Sequence, residues 1–135
     1  MSFLLDPRLS RDTGHVGDFP LCRVLLMNDS RWPWLILVPR QDELVELTDL
    51  APADRAELME EAALAATWLK AHAKAEKINV GALGNVVRQL HLHVVARRAG
   101  DPAWPGPVWA FGAAVPYGEA DARALADAAR KGLGV

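Results

Sequence analysis

Residues 88–97, RQLHLHVVAR, alternate polar and apolar side chains through the middle of an otherwise apolar run. Successive side chains of a strand point to opposite faces, so Gln89, His91, His93 and Val95 share one face and Leu90, Leu92, Val94 and Ala96 the other. The aliphatic face must be core, and the facing surface is built polar. The rest of the chain has to supply a sheet for this strand and a layer to cover its apolar side.

Two further runs, LCRVLLM at 21–27 and WLILVPR at 34–40, are short and rich in branched apolar residues. The NDSRWP between them carries Asn, Asp, Ser and Pro, which favour a turn, so the pair predicts a hairpin. KINVGALGNVV predicts a strand broken by glycines, with Gly81 and Gly84 marking a turn or a close approach of backbone. Between these pairs stands APADRAELMEEAALAATWLKAHAKAEK. Pro52 suits a first helical turn, acids come early and lysines late, and Leu58, Ala62, Ala65 or Ala66, Leu69 and Ala73 recur at helical spacing, with Met59 and Ala63 widening the stripe. AGDPAWPGPVWAFG, 99–112, holds three prolines and two tryptophans and predicts an irregular loop, and GEADARALADAARKGL, 118–133, predicts a terminal helix. Hairpins around one long helix define an α+β class with a mainly antiparallel sheet.

A length of 135 residues with 51% hydrophobic composition predicts one domain, 1–135, with a single core. Cys22 is the only cysteine, which rules out an intrachain disulfide and a cysteine-rich zinc site. The start, MSFLLDPRLSRDTG, lacks the features of a secretion signal, and no apolar run approaches the ~20 residues that span a bilayer. The expectation is a soluble cytoplasmic protein with no membrane partner. Net charge is -2, so no overall basic field attracts a nucleic acid polymer, and a phosphate ligand would have to be held locally.

Three roles are open to His91 and His93. They can be packed and satisfied by neighbours, although two imidazoles and an amide on one face leave several donors and acceptors needing partners. They can hold a metal, since imidazoles two apart on a strand reach one ion, but His15 and His72 lie far off in sequence and no acid follows the pair until Asp101. Or they do nucleophilic or acid/base chemistry, for which an imidazole pKa of about 6.5 is well placed.

QLHLHVVAR resembles the signature of the histidine triad (HIT) superfamily, in which His, apolar, His, apolar, His and two apolar residues run along one strand. The resemblance extends over about 19–101: paired strands, a long helix, a glycine-broken strand, then the motif strand and RRAGD, with the Trp/Pro loop and last helix, 102–135, beyond it. It implies a five-stranded antiparallel sheet with one long helix, a homodimer, and a nucleotidyl hydrolase or transferase working on a nucleotide conjugate such as a nucleoside phosphoramidate or a dinucleoside polyphosphate. It implies no metal and no cofactor. By position, His91 matches the histidine that attacks the α-phosphorus and carries the nucleotidyl group, and His93 matches the one that hydrogen-bonds the scissile region. Asn28 matches a ribose-holding position, though Asn before Asp and Ser is also what a turn wants. Asn79 matches an Asn or Gln position if one residue is deleted from VGALGNVV, and Gly84 and Asn85 match a phosphate-contacting segment, where Asn85 could equally serve a turn. A same-fold protein that binds nucleotides with little turnover is the alternative.

Three departures stand out. Gln89 replaces the first histidine; in the family that position orients the nucleophile through its backbone carbonyl, which any side chain retains. Trp34 stands where several relatives carry a histidine, so contacts to base or phosphate must differ. The 102–112 segment has no counterpart in the best-known hydrolase branches, and for Trp104 and Trp109 plain packing is the favoured role.

Overall fold

The structure, a computed structural model, describes residues 3–135. The single-domain expectation also covered residues 1 and 2, which lie outside the described residues. Nine elements follow in order: helix α1 (Pro7–Asp12), strands β1 (Thr13–Asp18), β2 (Cys22–Met27) and β3 (Trp34–Pro39), a 3-10 turn at Leu47–Asp49, helix α2 (Pro52–Ala73), strands β4 (Lys77–Gly81) and β5 (Leu92–Arg97), and helix α3 (Glu119–Leu133). The strands form one antiparallel sheet in the order β1-β2-β3-β5-β4. The motif strand β5 therefore lies inside the sheet, flanked by β3 and β4.

Both faces of the sheet are covered. On one, Val24, Leu26, Leu35, Leu37, Leu92, Val94 and Ala96 pack with Leu58, Ala62, Ala65 and Leu69 of α2 and Ala126 and Ala129 of α3. On the other, Leu25, Trp34, Ile36, Val38 and Val95 meet Leu9, Trp32, Ala103 and Val108. The period-two alternation assigned these faces correctly, but the second is not an open polar surface. The N-terminal segment and the 102–112 loop close over it, which is why every residue of β3 and β5 is buried.

Several expectations need correcting in detail. The alternation predicts a motif strand over 89–97, whereas ladder pairing begins at Leu92, so Gln89 to His91 form its lead-in. Residue patterning located four strands; the fifth is TGHVGD at 13–18, whose two glycines and a bulge between His15 and Gly17 erase the alternation that marks a strand. Met59 and Ala63 do not widen the buried stripe of α2, since Met59 is half exposed and Ala63 faces solvent. Glu61 takes that place. Fully buried on α2, its carboxylate accepts the backbone N–H groups of Leu21 and Cys22, both at 2.8 Å, and so ties the start of β2 to the helix. An acid in an apolar stripe is tolerable only because both oxygens are satisfied.

The two marked glycines divide the alternatives offered for them. Gly84 has φ +77, a left-handed conformation that favours glycine, and turns the chain after β4. Gly81 marks a close approach: a Cβ there would sit 3.1 Å from the Trp109 ring.

Candidate functional site

His91, in the lead-in to β5, and His93, on it, have ring centroids 4.8 Å apart and planes at 65°. Each is only 6% exposed. Their outer partners fix how each ring is protonated. His91 Nδ1 lies 2.7 Å from the backbone carbonyl oxygen of Gln89. A carbonyl only accepts, so Nδ1 carries the proton and donates, leaving Nε2 with its lone pair when the ring is neutral. For His93 the logic runs the other way. The indole Nε1–H of Trp34 donates to His93 Nδ1 at 3.0 Å, and because an indole nitrogen only donates, that Nδ1 is bare and the ring proton sits on Nε2. The pair thus offers one nucleophilic nitrogen and one N–H donor.

Burial, and secondarily the charge of a protonated His91, pushes the pKa of His93 down to about 3. An unfolded chain takes up that proton near 6.5, while the folded one resists until far lower pH, so the folded state binds fewer protons between the two values. Stability therefore falls as pH drops below about 6.5. By linkage the fall between pH 7 and pH 5 is about 2 kcal/mol from this group. Denaturant unfolding at the two pH values should show the wild type losing more stability than His93→Asn by about that amount, and equal losses would reject the assignment.

Gln89 divides its labour. Its carbonyl serves His91, while its side chain accepts from the Asp6 N–H at 2.8 Å and donates to the Leu4 carbonyl at 2.9 Å. The amide therefore anchors the N-terminal segment and does not reach toward the histidines. His91 opens on a cavity of about 180 Å³ lined by Val45 to Thr48, by Ala82, Leu83 and Gly84, and by Arg88, Gln89 and Leu90. Gly84 lines this cavity with His91, and so does Arg88, a cation that directly precedes the motif and that the motif's own pattern does not mark. Asn85, one residue on, is exposed and does not line this cavity.

The remaining candidates are not gathered at His91. Trp34 is buried and spends its one polar atom on His93, so it acts on the site through that ring. Asn79 Oδ1 accepts from Arg97 Nη1 at 2.8 Å. Asn28 accepts the Tyr117 N–H at 2.9 Å and lines a separate cavity of about 450 Å³ between β1 and α3, which shares no residue with the one at His91. That bond spans 89 residues, so it is neither the local turn bond nor a ribose contact.

Trp109 joins the site instead of serving packing alone. Its ring lies edge-to-face against His93 at 5.5 Å, seated over Gly81, and its buried indole Nε1 has no hydrogen-bond partner. Gly81 pairs with His93 across the β4–β5 ladder, which places the ring there. The loop that carries it is fastened by Arg97, which donates to both carboxylate oxygens of Asp101 at 2.7 and 3.0 Å and to the Gly106 carbonyl at 2.8 Å. That guanidinium holds the Asp101 carboxyl well below the usual carboxylate range. Trp104 is partly exposed, with the Arg97 guanidinium 5.7 Å from its ring centroid. Among the described residues no three His, Cys, Asp or Glu side chains converge to hold a metal ion, and no helix is long and apolar enough to cross a membrane.

Fold and site together define a class: an α+β domain that presents a pair of oriented histidines from an inner antiparallel strand. The HIT domain family model matches residues 8–100. A histidine triad protein from Sinorhizobium meliloti is similar to this chain at 54% identity, covering 96% of each chain with a TM-score of 0.94. Histidine triad proteins from Marinobacter aquaeolei VT8 and Bradyrhizobium japonicum are 43% and 41% identical, each with a TM-score of 0.94; the first covers 98% of this chain and 96% of its own, the second 98% and 99%. Among curated protein sequences none matches significantly. The chain belongs to the HIT family, which includes nucleotide-binding hydrolases and transferases.

Proposed function

We propose that this protein is a metal-independent nucleotidyl hydrolase or transferase that works through a covalent nucleotidyl-His91. The observation that carries the reading is the bond from His91 Nδ1–H to the Gln89 carbonyl, because it leaves the Nε2 lone pair free to attack. In the first step that pair forms an N–P bond to the α-phosphorus and the bond to the leaving group breaks, its electrons departing with the leaving atom. Water or another acceptor then attacks phosphorus, His91 leaves as a neutral imidazole, and the acceptor's proton passes to solvent. Gly84 in its left-handed turn and Arg88 line the cavity where phosphate oxygens would sit. Candidate substrates are nucleoside phosphoramidates, dinucleoside polyphosphates and other nucleotide conjugates. Asn28 and Asn79, whose Oδ1 atoms hold protein partners, and the exposed Asn85 complete the nucleotide-binding set by resemblance.

We also read the protein as a cytoplasmic homodimer. β4 is an edge strand, and Val80 on it, with Leu83 and Val86 just beyond, is an exposed large apolar residue beside unpaired backbone. The test of function is an assay of untagged protein, without added metal, against a fluorogenic nucleoside phosphoramidate and a dinucleoside polyphosphate. Binding of both without turnover would favour the alternative, a nucleotide-binding protein of the same fold.

Position 89 and position 93 should respond differently. Gln89→Ala keeps the carbonyl and should change turnover by no more than about tenfold, roughly 1.4 kcal/mol of barrier. His93→Ala removes a hydrogen-bond donor at the reacting centre and should cost about 10² to 10³. Steady-state kinetics on variants with unchanged circular dichroism checks both; a Gln89→Ala loss as large as that of His93→Ala would mean the amide itself takes part.

A further inference from the structure

We propose that Trp34 is a positioning residue: its indole N–H locks His93 as the Nε2–H tautomer, so His93 gives the departing atom a hydrogen bond but never a proton. The leaving-group part rests on the nucleotidyl-transfer reading above; the tautomer part does not. The lock is geometric. Trp34 is 4% exposed, its ring is held by Trp32 at 6.3 Å, and its N–H points at His93 Nδ1 at 3.0 Å. To become imidazolium, His93 would have to place a second proton on Nδ1, directly against the indole hydrogen, in a site closed by Trp109 and with His91 at 4.8 Å as the titratable group beside it.

The chemical consequence follows from counting protons. Neutral His93 has one ring hydrogen, on Nε2, and transferring it outright would leave an imidazolate, a base too strong to form at neutral pH. When the P–O bond to the leaving group breaks, the electron pair therefore stays on the departing oxygen, stabilised by the Nε2–H hydrogen bond and unprotonated by the protein. A weakly basic oxyanion, such as the terminal oxygen of a phosphoanhydride fragment, tolerates that departure. An amine does not, because a P–N bond breaks readily only once nitrogen is protonated, and that proton has to arrive with the substrate or from solvent. The site is accordingly selective for conjugates whose leaving atom is a weakly basic oxyanion.

The test uses whole protein labelled with ¹⁵N at histidine. In the wild type, His93 Nδ1 should resonate as an unprotonated ring nitrogen and Nε2 as a protonated one, unchanged from pH 8 to pH 5, and in Trp34→Phe the two resonances should move toward an exchanging mixture of tautomers. A protonated Nδ1 in the wild type overturns the proposal whether or not the variant folds, and so does a folded Trp34→Phe whose His93 resonances are unchanged. In parallel, kcat/KM is measured for diadenosine triphosphate and for an adenosine phosphoramidate of a primary alkylamine. The wild type should favour the anhydride by at least about 10², and Trp34→Phe should narrow that ratio by about tenfold or more. Preference for the amine conjugate overturns the leaving-group selectivity. Turnover of neither substrate would overturn the nucleotidyl-transfer reading and the selectivity built on it, while the wild-type spectrum still decides the role of Trp34.

Discussion

His91→Ala should lower turnover of a nucleotide conjugate by at least about 10³-fold while leaving the fold intact, because it removes the one nitrogen oriented for attack. The ring is buried against His93, but no hydrogen bond from it ties a distant element. Its single hydrogen bond runs to a carbonyl two residues away, and it borders a cavity. Alanine therefore deletes the chemistry with modest structural cost. Intact-mass measurement after a rapid, acid-free quench makes the result specific: the wild type should show one nucleotidyl adduct and the variant none. An adduct persisting in His91→Ala would move the nucleophile elsewhere, with His93 excluded as long as Trp34 keeps its Nδ1 occupied and a proton on its Nε2.

Arg97→Ala should cost about 3–5 kcal/mol of stability, the largest loss expected from any single change away from the aliphatic core. The figure follows from what is left behind. Asp101 is 7% exposed and both its oxygens rest on Arg97, with only the Ala103 and Arg98 N–H groups at 3.2 and 3.4 Å besides, so truncation leaves a buried carboxylate without its counter-charge and also frees the Gly106 carbonyl and the Asn79 amide oxygen. Arg97→Lys keeps a charge but not the planar fork that serves these partners at once, and should fall between wild type and alanine. Replacing both members, Arg97→Met with Asp101→Leu, should recover much of the loss, since no charge then stays buried alone. Urea unfolding followed by tryptophan fluorescence reads all four proteins; an Arg97→Ala loss under about 1 kcal/mol would show that solvent reaches Asp101.

The sheet was legible wherever burial on one face imposed a period of two. RQLHLHVVAR showed its two faces, and LCRVLLM and WLILVPR showed a hairpin, because branched apolar residues bounded by turn formers have few other uses. β1 was illegible for the opposite reason: its glycines and bulge take the hydrophobic signal away, and it is recognised only by pairing with β2. At the site, the bond from His91 to the Gln89 carbonyl lies within one short motif, where the resemblance implied it, but the partner that orients His93 is Trp34, 59 residues away, and no motif marks that pairing. Trp109 and the Arg97–Asp101 clasp were not legible either, because their roles depend on where an irregular loop returns across the sheet. Glu61 escaped because its partners, two backbone N–H groups, leave no mark in sequence.

The double use of residue 89 separates two kinds of inheritance. What the histidine requires of that position is a peptide unit, which every amino acid supplies; what the N-terminal segment requires is an amide of the right length, bridging Leu4 and Asp6. A substitution there can loosen the segment that borders the site while the attacking nitrogen keeps its aim. In this chain the identity of residue 89 is therefore set by how the N-terminal segment is fastened, while the orientation of His91 is indifferent to it.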